Sequence, residues 1–265
     1  MILCYDDNTK AKQTQCLFEI LKTEHEAEHG GMNMISNLND RQKVILKELE
    51  ANRQVRVAGL AKSLFASEMT IRRDLEYLEN EGFLTRCHGG AIPLGNHLQD
   101  PIKYRMWIHA KEKKELAAAA QKYLRDGQVV FFNSSSTCAY MLPYLNDYQN
   151  LHIVTNSIYL AAQLGAVPHR CTLTGGDYRR GEQCLCGGAA EAFLAEIHPD
   201  LAILSCEGVT EEGEITESLE EMARIARLAV RNSAQSVFLM DPSKHGNRYT
   251  YTVCRLAETA NAVLL

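Results

Sequence analysis

The sequence predicts an α/β protein in two parts, a small helical unit ending in a hairpin over 39–92 and a larger parallel-sheet domain over 110–265. Three observations predict it. Apolar residues between 40 and 80 recur at helical spacing, and a short strand pattern closing on a Gly-Gly turn follows them. From 111 onward, apolar runs of four to six residues alternate with helical patterns, as in a parallel sheet flanked by helices. Between the two lies a stretch with Pro93, Gly95 and Pro101 and no periodicity, which reads as a linker over 93–109.

Residues 1–38 are unlike the rest and carry one weakly amphipathic stretch, Cys16 to Lys22. They read as a leader: a poorly ordered extension, an upstream start ahead of Met32 and Met34, or an extra helix packed on the first unit. From Asp40, taken as the cap, Val44, Ile45 and Leu49 share one helical face. A strand-like entry at Val55 leads to a second helix with Leu60, Ala61, Leu64 and Phe65. Ser67 is placed to cap a third helix running to Asn80, with Gly82 as its stop. Phe83–Cys87 reads as a strand, Gly89-Gly90 as its turn, and Ala91-Ile92 as the return. Three helices and a hairpin make a winged helix-turn-helix.

On the third helix, Ile71, Leu75 and Leu78 fall at i, i+4 and i+7. At about 100° per residue, Arg73 then points away from the core, flanked by Met69, Thr70, Arg72 and Glu76. Arginine bonds guanine edges bidentately, threonine contacts a thymine methyl, and Ser67 with the helix N-terminus holds a phosphate. Arg86 and His88 would lie over the neighbouring groove or backbone. Charge alone does not mark this unit, because 39–92 hold nine basic against eight acidic residues and the whole chain has a net charge of −5. The combination of turn, outward arginines and basic hairpin does.

"SEMTIRRDLEYLENEGFLTRCHGGA" resembles the helix-turn-helix signature of DeoR-family bacterial transcription regulators, a Ser-x-x-Thr-Ile-Arg-Arg-Asp-Leu run ending in His-Gly-Gly-Ala. The resemblance covers Arg41 to Ala91. It implies operator-DNA binding through Thr70, Arg72, Arg73 and Arg86, by an oligomer with paired DNA-binding units.

In the second part, the expected order is helix 111–125, strand 128–132, helix 137–145, strand 151–155, helix 157–164, strand 170–174, helix 188–197, strand 201–206, helix 217–232 and strand 236–240. The final "NAVLL" also looks like a strand. Five strands end in small or polar loops: Asn133-Ser-Ser-Ser-Thr137, Thr155-Asn156-Ser157, Thr174-Gly175-Gly176, Cys206-Glu207-Gly208 and Asp241-Pro-Ser-Lys244. In a parallel sheet all fall at the carboxyl edge, where open α/β folds bind ligands. Ser135, Ser136 and Thr137 with free N–H groups suit a phosphate. Lys244 and Arg179-Arg180 offer compensating charge, and Asn156 and Glu207 suit sugar hydroxyls.

The resemblance extends here. DeoR-family effector domains resemble ribose-5-phosphate isomerase, which implies a sugar-phosphate-isomerase-like fold binding a phosphorylated sugar. The family's Asp-x-Gly-Thr-Thr loop stands as Asn133-Ser134-Ser135-Ser136-Thr137, without acid or glycine. Thr155-Asn156, Gly175-Gly176 and Asp241 to Lys244 match later elements. A Glu-rich segment with a Lys does not: Glu220-Glu221 are present, Ala226 falls where the Lys belongs, and Arg224 and Arg227 lie nearby. "SSSTC", "TNS" and "SCEG" point within the family to regulators of a deoxy-sugar or ketose operon, activator or repressor.

Two other readings fit parts of the sequence. A sugar-phosphate isomerase carrying a DNA-binding unit needs a carboxylate base, and Asn133 cannot serve, which leaves Glu207. A metal or redox sensor would use Cys184-Leu185-Cys186, but no Cys/His partner pair is near in sequence. Neither a cofactor nor a metal is expected. The longest apolar runs are strand-sized, so no membrane span is expected, and nine cysteines without framework spacing suit a reduced cytoplasmic protein.

Overall fold

The computed structural model describes residues 38–94, 102–164 and 169–265; the leader apart from Leu38, and Gly95 and Pro101, lie outside the described residues. The chain divides into two compact units, one up to Tyr104 and one from Arg105 onward.

In the first unit, α1 spans Asp40–Asn52. Its cap is Asn39 rather than the expected Asp40, because Gln42 closes a capping box with it: Asn39 Oδ1 accepts from the Gln42 N–H at 2.9 Å and Gln42 Oε1 from the Asn39 N–H at 3.0 Å. Then come β1 (Val55–Arg56), α2 (Val57–Ser63), α3 (Glu68–Asn80), β2 (Thr85–Cys87) and β3 (Gly90–Ile92). The sheet runs β1-β3-β2, all antiparallel. Ile45, Leu49, Leu60, Ile71, Leu75, Leu78, Phe83 and Leu84 form the buried core, each worth about 1.5–3 kcal/mol.

The Gly-Gly pair does two separate jobs. Gly89 has φ +76°, open to glycine at no steric cost, in the two-residue hairpin turn. Gly90 packs where a Cβ would lie 1.9 Å from the Val55 carbonyl oxygen. The hairpin is also tied to the helix-turn-helix by the Val57 N–H, which donates to Gly89 O at 2.8 Å.

The second unit opens in α4 (Ile102–Trp107), a helix within the stretch read as a linker without periodicity; Ile102 and Met106 are buried. It continues through α5 (Ala110–Ala120), β4 (Val129–Phe132), α6 (Ser136–Ala139), α7 (Leu142–Leu145), β5 (His152–Thr155), α8 (Ile158–Gln163) and β6 (Arg170–Leu173). Next are β7 (Asp177–Arg179), β8 (Cys184–Cys186), α9 (Gly188–Ala195), β9 (Leu201–Leu204), β10 (Gly208–Val209), β11 (Glu214–Glu217), α10 (Glu220–Asn232), β12 (Gln235–Phe238), β13 (Tyr251–Arg255) and β14 (Ala262–Leu264).

Six strands form a parallel sheet in the order β14-β12-β9-β4-β5-β6. Its central strands are buried along most of their length, which is why they read as unbroken apolar runs. Helices α9 and α10 cover the core through Ala190, Leu194, Ala223, Ala226 and Ala229.

Two segments of the second unit depart from the expected order. The single helix over 137–145 is two short ones, because Pro143 lies in the first turn of α7, where proline belongs, and not inside a continuous helix. The helix expected from Glu217 begins at Glu220: Glu214–Glu217 instead pair with β10 and β13 in a small antiparallel sheet. That sheet and the β7–β8 hairpin are additions to the alternating pattern.

Candidate DNA-binding face and effector site

On the first unit, Ser67 caps α3; its Oγ accepts from the Thr70 N–H at 3.2 Å, and the two hydroxyls lie 2.9 Å apart. Arg72 and Arg73 are exposed, as is Met69 at 60%. Arg72 pairs with Glu68 at 2.6 Å, while Arg73 has no ion-pair partner among the described residues. Arg86 donates to Glu79 from both its backbone N–H, at 2.8 Å, and its Nε, at 2.9 Å. His88 is exposed in the hairpin turn. These exposed pairs are worth at most about 1 kcal/mol, so phosphate oxygens can replace their carboxylates.

Asp74 behaves differently from its neighbours. It is buried, its carboxylate paired with the Arg41 guanidinium and accepting from Gln42 Nε2 at 3.3 Å. Of the Arg-Arg-Asp run, the arginines face out and the aspartate fastens α3 to α1. Phe65, expected on the second helix with Leu60, Ala61 and Leu64, instead lies past its end, 83% exposed at φ +50° in the turn before Ser67.

In the second unit, the chain leaves β4 for β5 and β6 on one side, then crosses back to β9 on the other. The β4/β9 boundary is therefore the topological switch point, the place where open α/β sheets take ligands. Asn133 bridges it: Nδ2 donates to Ser205 O at 2.8 Å and Oδ1 accepts from the Ser205 N–H at 3.1 Å. Asn156 spans the next gap, accepting from the Ser134 N–H at 2.9 Å and donating to Leu185 O at 3.1 Å. Both amides are buried and spent on backbone.

The N–H groups expected to be free are partly used as well. Ser135 Oγ accepts from the N–H of Thr137 at 3.0 Å and of Cys138 at 3.4 Å, and the Ser135 N–H donates to Asn133 O. The hydroxyls are the more available groups. Thr137 Oγ1 is buried without a partner. Ser136 Oγ accepts from Lys113 Nζ at 3.2 Å, and Ser205 Oγ from Lys244 Nζ at 2.6 Å. Lys244 is also 4.0 Å from buried Asp241, which Lys244, Ser243 and Lys113 hold below the usual carboxylate range against the effect of burial.

Gly175 and Gly176 carry β6 into the β7–β8 hairpin. A Cβ at Gly176 would lie 2.3 Å from Cys186 O, so its packing accounts for the glycine. Arg179 pairs with Glu221 at 3.3 Å. Glu207 accepts from the Ser218 N–H at 2.9 Å.

Several charged groups near this edge were not anticipated. Burial, with Lys244 close by, pushes the Lys113 ammonium down to about 7. Burial, reinforced by Glu207, pushes the Glu217 carboxyl up to about 8. Arg105 pairs with Glu182 at 2.5 Å, and burial raises Glu182 despite that partner. Lys113 had a readable signal: it lies at i, i+4, i+7 with Ala117 and Ala120 on the buried stripe of α5. Cys184 and Cys186 point inward from β8, and burial pushes the Cys184 thiol up to about 12.

A shallow concavity of 810 Å³ opens at the opposite, amino-terminal edge of the sheet, lined in part by Gln128, Asp200 and Asn261. Those groups are spent on strand and helix ends: Asp200 accepts from the Val129 N–H, and Asn261 donates to Val230 O and Ser233 O. The carboxyl edge, with its cations and unspent hydroxyl, is the better site.

Two family models match the chain, a DeoR-like helix-turn-helix domain over residues 41–94 and a DeoR C terminal sensor domain over 108–264. The uncharacterized HTH-type transcriptional regulator YulB of Bacillus subtilis is 30% identical over 227 residues, covering 84% of this chain and 87% of its own. The L-fucose operon activator of Escherichia coli is 29% identical, covering 84% and 93%. A solved D-ribose-5-phosphate isomerase in complex with phospho-erythronic acid is similar over 51% of this chain and 54% of its own, at 15% identity and a TM-score of 0.39. With a helix-turn-helix matched in one unit and a sensor domain spanning the other, the chain belongs to the DeoR family of transcriptional regulators.

Proposed function

We propose that this regulator controls a carbohydrate-catabolism operon, binding operator DNA through the first unit and a phosphorylated sugar at the carboxyl edge of the second, as a cytoplasmic homo-oligomer. Ser67, Met69, Thr70, Arg72 and Arg73 meet bases and phosphates in the major groove, and Arg86 and His88 meet the backbone beside it. Effector binding favours one arrangement of the oligomer, which shifts operator affinity only as far as the effector prefers one state over the other.

The observation that carries the effector reading is a pair of lysines, each on a serine hydroxyl, flanking the switch point: Lys113 on Ser136 and Lys244 on Ser205. The Lys244 ammonium, joined by Lys113 below its pKa of about 7, lies in the same loop cluster as the buried, unpartnered Thr137 hydroxyl and favours a phosphate group. The sugar would extend along Asn133, Ser135, Asn156, Gly175, Gly176, Arg179 and Glu207. The L-fucose operon activator among the relatives makes phosphorylated deoxy-sugars and ketoses the first class to test. A thermal-shift screen of sugar phosphates against their unphosphorylated parents tests this, since a ligand at a hundred times its Kd stabilises the folded state by about 2.7 kcal/mol. A phosphorylated compound is expected to raise Tm while its parent is silent. Equal shifts from both would remove the phosphate from the reading.

A further inference from the structure

The chain passes from one unit to the other inside α4, and the end of that helix is held by the loop that follows β4. Lys113 Nζ donates to Arg105 O, to Ile108 O at 2.8 Å and to Ser136 Oγ at 3.2 Å. Tyr140, which follows α6, donates from its hydroxyl to Met106 O at 2.6 Å. Arg105 pairs with Glu182, whose carbonyl accepts from Ser134 Oγ at 3.2 Å. The carbonyls of Arg105 and Met106 belong to the last turn of α4, where no intrahelical partner exists, and a buried cation there is favoured by the helix dipole. Three independent contacts thus run from residues 134–140, directly or through one side chain, to residues 105–108.

An ammonium has three donors, and those of Lys113 go to two connector carbonyls and one loop hydroxyl. An anion that takes over the Ser136 hydroxyl or draws Lys113 toward itself changes the hold on the connector. We propose that Lys113 and Tyr140 are positioning residues that transmit occupancy of the Ser134–Thr137 loop to α4, and so to the segment leading to the DNA-binding unit. The inference rests on the reading of that loop as the effector site. What it adds is a route made of specific hydrogen bonds, with α4 as the element whose state the effector biases.

Hydrogen exchange on the full chain, with inorganic phosphate as probe and chloride at equal ionic strength as control, separates the two claims. In the wild type, phosphate is expected to slow exchange in peptides covering 133–140 and to change exchange in peptides covering 102–109. In Tyr140→Phe, which removes one hydroxyl and lies outside the proposed binding groups, the 133–140 response is expected to persist while the 102–109 response falls severalfold. Lys113→Arg, which holds a permanent charge in a different geometry, should likewise shrink the 102–109 response. Protection of 133–140 without any change at 102–109 in the wild type overturns the relay and leaves the site. An undiminished 102–109 response in both variants also overturns it. No phosphate effect on 133–140 overturns the site reading itself.

Discussion

Asn133 and Ser205 form a two-bond bridge, with the asparagine amide donating to the serine carbonyl at 2.8 Å and accepting from its N–H at 3.1 Å. One side chain thereby joins the ends of β4 and β9 at the switch point. Both halves of the amide are needed, and an acid supplies only one. Asn133→Asp is expected to place a carboxylate oxygen against the Ser205 carbonyl and cost roughly 1–3 kcal/mol, read as a drop in Tm and in denaturant midpoint. An unchanged midpoint would mean that the bridge does not hold the edge together.

The hairpin glycines give a contrast within one unit. Gly90→Ala drives a Cβ into the Val55 carbonyl and should unfold or loosen the β1–β3 pairing. Gly59→Ala, in α2 with open space around the new methyl, should stabilise by up to about 1 kcal/mol. Circular dichroism melts of the two variants check both signs.

Two buried groups make stability pH-dependent in opposite directions. Glu217 holds its proton up to about 8 when folded against an ordinary value of 4.5. Its contribution is therefore fully present below 4.5 and is lost as pH rises toward 8. Lys113 sheds its proton near 7 when folded against an ordinary value of 10.5. The unfolded chain then binds more protons between those values, so stability rises with pH across them. Glu217→Gln should flatten the fall and Lys113→Met the rise, each by a slope approaching about 1.4 kcal/mol per pH unit. Chemical denaturation at a series of pH values measures both slopes.

Arg73 and Arg86 should separate in DNA binding. Arg73→Ala is expected to cost about 1–3 kcal/mol of discrimination at one base position in sequences selected from a random duplex library. Arg86→Ala should weaken binding evenly across sequences and lower the salt dependence. If Arg73→Ala enriched the same motif with the same strength, the orientation of α3 toward DNA would be wrong.

The winged unit was legible because its signals are local. Ile71, Leu75 and Leu78 set the face of α3, and Ser67 is a strong cap. The parallel sheet was legible because its strands are short apolar runs. What escaped was built from polar residues under tertiary control. Glu217 belongs to a strand yet looks like the acidic start of a helix, since a carboxylate near a helix N-terminus is favourable. Lys113 hid among exposed Lys111, Lys114 and Glu115, although its spacing to Ala117 and Ala120 placed it on the inner face. Asn133 and Asn156 were recognisable as residues of the edge, but their use as backbone bridges depends on strand order, which local patterning does not contain.

The most direct test of the account is calorimetric titration of the sugar phosphate that gives the largest thermal shift, into wild type and into Lys244→Met. At least a tenfold loss of affinity is expected in the variant, with the specific DNA affinity of the unliganded protein unchanged. Equal affinity for wild type and variant would contradict it and move the effector away from the β4/β9 edge.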